Sequence, residues 1–132
     1  MKGQEDSAFL MDPYYKCLEM AISNNLEFIY KDTIFVRKAT YLQNFEGVVR
    51  GKYILLLDEN QILTRTKGSK PIGLVVIHPI EFKKDGMYVF VTDFGVVRKR
   101  KKYSFVNNGF VEIELVFNCE TSRFDYKIVS KH

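Results

Sequence analysis

The stretch FVEIELVFNCETSRFDYKIV, from Phe110 to Val129, decides the fold class of this chain. In its first half, apolar side chains fall on one face and polar side chains on the other, which is the period of a half-buried β-strand. The polar residues 120–123 predict a turn, and alternation resumes from Phe124. The stretch therefore predicts two antiparallel strands with a shared apolar face, formed by Val111, Ile113, Leu115, Phe117, Cys119, Phe124, Tyr126 and Ile128.

The segment before this pair has the composition of further strands, because Val, Ile, Phe, Tyr and Thr dominate it. Two polar stretches that end in glycine, Lys84-Asp85-Gly86 and Asn107-Asn108-Gly109, each predict a hairpin turn. With the turn at 120–123, they predict an antiparallel meander of three consecutive hairpins. The predicted strands are Leu26–Tyr30, Ile34–Lys38, Tyr53–Leu57, Gln61–Thr66, Ile72–Phe82, Met87–Phe94 and Val96–Val106.

One helix is predicted over Asp12–Asn24. Asp12 is a favoured N-cap residue, and Pro13 follows at the first helical position, where the missing N–H costs nothing. Asn24 and Asn25 end the helix, since Asn tolerates the left-handed conformation of a C-terminal cap. The apolar residues recur at the helical spacing i, i+3, i+4, i+7 and i+8 and form one stripe, made of Tyr14, Cys17, Leu18, Ala21 and Ile22.

These elements predict an α+β fold with one N-terminal helix packed on a curved, mainly antiparallel sheet. In outline this is similar to cystatin-like and nuclear-transport-factor-like folds, in which a sheet wraps around a helix and leaves a cavity; no family motif accompanies the outline. A partly closed β-barrel with an N-terminal helix is the alternative. The length of 132 residues predicts a single domain, 1–132, with residues 1–8 as a flexible leader.

Charge is distributed unevenly along the chain. Residues 1–60 carry seven basic and nine acidic side chains, whereas residues 61–132 carry thirteen basic and seven acidic ones. A positive half attracts anionic partners, although solubility explains a formal charge of +4 equally well. No stretch approaches the ~20 apolar residues of a membrane helix. The polar first seven residues lack the core of a targeting segment, so a cytoplasmic protein and a secreted or periplasmic chain without its signal both remain open.

The basic run Arg98-Lys99-Arg100-Lys101-Lys102, followed by Tyr103, is the most unusual local feature. Read as an extended strand, the run predicts a polyanion site with Tyr103 and Phe105 available for stacking on bases or sugars. The alternative is protection of an exposed strand edge by lysine. Glu112 and Glu114 on the next strand are then expected to pair with the run.

His78, at the end of an apolar strand, is the candidate general base, with Asp93 or Glu81 to orient it. No Ser or Cys stands at a strand-to-helix elbow to partner it, so no catalytic residue is assigned, and a structural histidine is the expected reading. Asp93-Phe94-Gly95 has the sequence of the magnesium-binding motif of kinases, but the other kinase motifs are absent. An Asp that ends a strand before a Gly is common in turns, and this is the expected role of Asp93. The residues Asp58-Glu59-Asn60 are expected to form a plain turn rather than a cation site.

Two cysteines, Cys17 and Cys119, lie on predicted apolar faces and are expected to be buried free thiols; a disulfide is the alternative. No Cys/His cluster provides a metal site, and no cofactor is expected. The sequence thus predicts a small non-enzymatic binding domain for a protein partner or an apolar ligand in the helix–sheet cleft. Polyanion or nucleic-acid binding through residues 98–102, and a hydrolase or isomerase that uses His78, are the alternatives.

Overall fold

The computed structural model describes residues 12–24, 32–42, 45 and 47–131. In these residues, two α-helices accompany eight β-strands. The helices are α1 (Pro13–Asn24) and α2 (Glu59–Arg65), and a 3-10 turn at Lys67–Ser69 follows α2. The strands are β1 (Thr33–Arg37), β2 (Gly47–Val49), β3 (Lys52–Leu57), β4 (Ile72–Ile77), β5 (Glu81–Lys83), β6 (Gly86–Lys99), β7 (Lys102–Asn118) and β8 (Arg123–Lys131). The predicted strand Leu26–Tyr30 and the leader 1–8 lie outside the described residues.

The strands form one curled, mixed sheet, a half-barrel, in the order β2-β3-β1-β4-β6-β7-β8, with β5 also paired to β6. The predicted antiparallel meander is present, because β5, β6, β7 and β8 pair successively as antiparallel neighbours, but its middle turn is not at Asn107-Asn108-Gly109. The prediction omitted the parallel part of the sheet: β1 is parallel to both β3 and β4. The α+β class is therefore confirmed. The structure differs from the prediction in having a mixed sheet and, in the described residues, two α-helices instead of one.

Helix α2 explains the parallel pairs. Strand β3, helix α2 and strand β4 form a β-α-β unit in which β1 lies between the two parallel strands. The predicted turn at 58–60 and strand Gln61–Thr66 are therefore wrong. The Asp58 side chain accepts from the Gln61 N–H, and the Gln61 side chain accepts from the Asp58 N–H, each at 2.9 Å. This capping box starts the helix, and its Asp-x-x-Gln pattern is visible in the sequence.

The predicted strand Ile72–Phe82 is interrupted at residues 78–80. Pro79 has no N–H to donate to a ladder, which accounts for a break at this point. Strand β4 on one side and β5 on the other both pair with β6, so the two pieces run along the same neighbour. His78 keeps its ladder contact, because its N–H donates to the Phe90 carbonyl at 2.9 Å.

The hairpin between β6 and β7 turns at Arg100-Lys101, inside the basic run, so the predicted continuous strand Val96–Val106 is wrong. The predicted turn at Asn107-Asn108-Gly109 is instead a β-bulge within β7. Asp93 is opposite Gly109 and Phe94 is opposite Asn107, which leaves Asn108 as the extra residue. Gly109 has a φ of 151°, which side-chain-bearing residues rarely adopt, and its N–H donates to Asn107 Oδ1 at 2.8 Å. Asp93-Phe94-Gly95 lies in the middle of β6, not at a strand end.

Each face of the sheet has its own apolar cluster. The inner face, defined here as the face in contact with α1, packs Val36, Val75, Val89 and Ile113 against that helix. The predicted stripe is confirmed, because Cys17, Leu18, Ala21 and Ile22 are all buried. The opposite, outer face carries a smaller cluster around Ile62 of α2, which includes Leu57, Leu74, Val96, Phe94 and Tyr103.

Candidate functional site

The basic hairpin, defined as residues 94–107 of β6 and β7 with their turn, extends from residue 97 onward beyond both neighbouring strands. The last β6 residue paired with β4 is Val96, and the first β7 residue paired with β8 is Val111. The pairing of β6 with β7 continues alone to Lys99 opposite Lys102. The hairpin is therefore a two-stranded arm whose tip carries the whole basic run.

The turn at the tip places its cations in solvent. Lys99, Arg100, Lys101 and Lys102 are exposed, and Arg98 is half-buried. Arg100 occupies the left-handed region with a φ of 58°, and its carbonyl accepts from Arg98 Nε at 3.2 Å. The extended strand expected for the run does not form, because the chain reverses within it.

The acidic partners expected for the run lie elsewhere. Glu112 is opposite Phe90 and Glu114 is opposite Tyr88, near the other end of β6. Glu112 instead pairs with Lys83, with 3.4 Å between Nζ and Oε2. Within the described residues, the ion pairs join Lys83 to Glu112 and Lys16 to Glu19, and neither involves the four exposed cations of the tip. None of these four cations therefore forms an ion pair with a described carboxylate.

An aromatic cluster lies beside the tip on the outer face. The ring centroids of Phe94 and Phe105 are 5.8 Å apart, and those of Tyr103 and Phe105 are 6.1 Å apart. Phe105 is 46% exposed, so its ring is accessible to a ligand. The sequence analysis identified Tyr103 and Phe105 but not Phe94. Phe94 alternates with Val96 and Arg98 along β6, and this spacing would have placed its ring on the same face as their side chains.

Tyr103 anchors this cluster to the protein. Its ring packs with Ile62 and Val96, and its hydroxyl is buried with no hydrogen-bond partner among the described residues. Burial raises the pKa of Tyr103, Glu59 raises it further, and the nearby Arg98 guanidinium opposes both. On the same face, the guanidinium carbon of Arg65 lies 4.5 Å from the centre of the Phe35 ring.

Two concave sites lie on the parallel side of the sheet. A cavity of about 370 Å³ lies beside the first residues of β1 and β4, before the point where Val36 pairs with Val75. Asp93, Ile34 and Gly73 contribute to its wall. Asp93 is only 3% exposed. A more open groove of about 740 Å³ follows the carboxyl ends of β1 and β3, between Lys38 and Asp58.

The structure places His78 on the outer face, away from the cavity that contains Asp93. Its Nε2 lies 3.1 Å from Thr92 Oγ1, and its ring makes an edge contact with Phe90. Burial lowers the pKa of His78. Neither Asp93 nor Glu81, the expected orienting carboxylates, is the hydrogen-bond partner of this ring.

The two cysteines have different environments. Cys17 is fully buried in α1, and burial, with Asp12 nearby, raises the pKa of its thiol to about 12. Cys119 is exposed, so the prediction that both thiols are buried is wrong for this residue. β7 leaves the core after Leu115, and Phe117 on the same face is already half exposed. Both cysteines are free.

Two further kinds of feature are absent from the described residues. They contain no group of three or more His, Cys, Asp or Glu side chains that is able to hold a metal ion. No helix in the described ranges has the length and apolar character needed to cross a membrane. The chain matches no protein-family model, and no curated protein or solved structure shows significant similarity to it.

Proposed function

We propose that this protein is a non-enzymatic binding domain whose basic hairpin binds a polyanion, and that single-stranded nucleic acid is the ligand class. One observation carries the proposal: four exposed cations and an exposed aromatic ring lie together on one protruding arm. Cations neutralise the phosphate backbone, and an aromatic ring stacks on a base of any sequence. A protruding arm also allows one nucleic-acid strand to contact the cations and the aromatic ring at the same time.

The energetics of the arm support a role in binding. Lys99 and Lys102 are directly opposite each other, and like charges in such a pair destabilise a hairpin. Edge protection requires charged side chains along an exposed strand, and it does not require two like charges opposite each other across a turn. A phosphate chain that binds at the tip removes this repulsion, so the ligand supplies the compensation that the described carboxylates do not.

The experiment is fluorescence anisotropy with a labelled oligo(dU) of about 12 nucleotides, a length suited to one small domain. For four phosphate contacts, the plot of log K against log salt is expected to have a slope of about −3. The double variant Lys99→Gln/Lys101→Gln should bind more weakly and reduce the magnitude of that slope by about 1.4. Lys84→Gln/Lys131→Gln removes the same charge far from the tip and is the matched control.

Stacking is tested separately with Phe105→Ala. A stacked base contributes about 1–3 kcal/mol, so this variant should weaken oligo(dU) binding but leave binding to heparin, which has no bases, unchanged. Failure of the wild-type protein to bind either polymer at low salt would refute the proposal. Equal losses in the tip variant and the control variant would show general charge attraction instead of a site.

A second candidate function is the binding of an apolar ligand or a protein partner in the cavity beside β1 and β4. Its support is the mainly apolar wall around Ile34, Phe35 and Ile72, with the Asp93 carboxylate among them. This cavity differs from the helix–sheet cleft expected from the cystatin-like or nuclear-transport-factor-like outline, because none of its described lining residues belongs to α1. Widening the cavity with Ile34→Ala while measuring the binding of a fluorescent apolar probe tests it.

A further inference from the structure

Strand β8 is the last strand of the sheet that the described residues form. It is nine residues long, and its side chains alternate between exposed and half-buried along the whole strand. One edge of its backbone pairs with β7, and no strand in the described residues pairs with the other edge, whose N–H and C=O groups are able to bond to a further strand. The opposite end of the sheet, β2, has only three residues and offers a much shorter edge.

The bulge in β8 limits where a new strand fits. Ile128 is opposite Ile113 and Ser130 is opposite Glu112, so Val129 is an extra residue that breaks the ladder. At the other end, the turn before β8 contains Ser122 at a φ of 57°. The regular part of the free edge is therefore short, and its central segment runs from Phe124 to Ile128.

This segment is complementary to itself. In an antiparallel pair related by a two-fold axis normal to the sheet, opposed residues lie on the same face. An axis beside Tyr126 places Asp125 opposite Lys127 of the second copy, and Lys127 opposite its Asp125. Moving the axis to Asp125 or to Lys127 places two like charges opposite each other, which is destabilising.

The other face of the same segment is apolar. With the axis beside Tyr126, Phe124 is opposite Ile128 of the second copy, and the two Tyr126 rings are neighbours. Phe124 and Ile128 are half-buried at the margin of the core, and Phe124 is in edge contact with Phe117, which is 51% exposed. Pairing therefore covers apolar surface on one face while it forms two ion pairs on the other.

We propose that β8 is a homodimer interface, in which two copies of the chain join their sheets by antiparallel pairing of Phe124–Ile128 about Tyr126. The occupant of the free edge is thus a second copy of this chain. The interface does not involve the basic hairpin, so the dimer proposal is independent of the proposal that the hairpin binds a polyanion. A short paired segment predicts a weak dimer whose population rises with protein concentration.

The test is sedimentation velocity from about 1 to 500 µM, a range that detects a concentration-dependent dimer. The wild-type protein should shift from monomer to dimer. Asp125→Lys and Lys127→Asp each place like charges opposite one another, and each should weaken the dimer at least tenfold. The double variant Asp125→Lys/Lys127→Asp reverses both signs and should restore it.

Contacts within one copy do not produce this pattern. Asp125 accepts from Asn118 Nδ2 at 3.2 Å, and Lys127 is opposite Glu114, so each single change also alters a local contact. The double variant lacks both of these contacts within one copy. If its dimer is nevertheless restored, the restoration is due to the ion pairs between the two copies. Phe82→Ser, which removes a side chain that is 76% exposed on β5, is the control and should leave the dimer unchanged. A wild-type protein that is monomeric at every concentration, or a double variant that stays monomeric, would overturn the proposal.

Discussion

Lys99 of β6 lies directly opposite Lys102 of β7, so two ammonium groups flank the two-residue turn at the tip of the basic hairpin. Opposite charges at such a position stabilise a strand pair by about 0.2–1 kcal/mol, and like charges destabilise it by a similar amount. We expect Lys102→Glu to raise the free energy of unfolding within this range while it weakens polyanion binding. Urea unfolding in low and high salt measures the effect, which should shrink as salt rises.

If Lys102→Glu lowers the stability instead, the two side chains do not face each other and the turn is misplaced. Lys84→Glu, in the β5–β6 turn, is the charge-matched control and should change stability little.

Helix α1 is expected to depend on its buried stripe. Leu18 is fully buried between the helix and the sheet, and Leu18→Ala should lower the free energy of unfolding by about 2–5 kcal/mol. Chemical denaturation followed by circular dichroism measures the loss. Ser23, exposed near the end of the helix, is not part of this stripe, and Ser23→Ala should cost much less. A loss below about 0.5 kcal/mol for Leu18→Ala would mean that the stripe is not packed.

The capping box of α2 is expected to stabilise the outer cluster. Asp58→Ala removes the side chain that accepts from the Gln61 N–H and should cost about 0.5–2 kcal/mol. Asp58→Asn preserves an acceptor and should recover most of the loss, which separates capping from charge. Asn60→Ala, two residues further on and also exposed, is the control. Equal losses in the free energy of unfolding for Asp58→Ala and Asn60→Ala would contradict the prediction that the Asp58 side chain caps the helix.

His78 is expected to make stability depend on pH. Burial lowers its pKa in the folded protein, so the unfolded chain binds the proton more tightly. The stabilisation from neutral His78 is complete above the unfolded-state pKa of about 6.5 and is lost as the pH falls through the lowered folded-state value. His78→Gln, which keeps a hydrogen-bonding group near Thr92, should show a smaller loss of stability between pH 7.5 and 5.5, conditions that bracket the ordinary histidine pKa of ~6.5.

The opposite result, a larger loss in His78→Gln than in the wild-type protein, would mean that protonated His78 stabilises the fold. Thermal or urea midpoints at the two pH values distinguish these outcomes.

The two thiols are expected to differ in reactivity. Cys119 is exposed and should react with a thiol reagent in the native protein, whereas Cys17 is buried with its pKa raised to about 12 and should react only after unfolding. Mass spectrometry of the labelled peptides assigns each site. Two labelled cysteines in the native protein would mean that α1 opens readily, and none in denaturant without reductant would reveal a disulfide.

Much of the fold was predictable where the signal is local. The helix at 13–24 follows from its cap and its 3.6-residue period, and Phe110–Leu115 follows from its strict alternation. Helix α2 was missed although its capping box is present, because seven residues give too short a window for helical periodicity. Of the candidate site, Arg98–Lys102, Tyr103 and Phe105 were identified, but their common placement on a protruding arm was not.

Local signals in the sequence predict the α+β class, the helix α1 and the hairpin turns on either side of β6 and β7, at 84–86 and 120–123, since caps, turn residues and residue periodicity act within a few positions along the chain. The position of the β6–β7 turn depends instead on pairing between distant residues, because Arg100-Lys101 and Asn107-Asn108-Gly109 both permit a reversal. The choice depends on the register of β6 with β7: the bulge at Asn107-Asn108-Gly109 shifts the pairing by one residue and places Phe105 opposite Val96 on the outer face. The same long-range pairing leaves Cys119 in solvent and places the basic run at the tip of an arm.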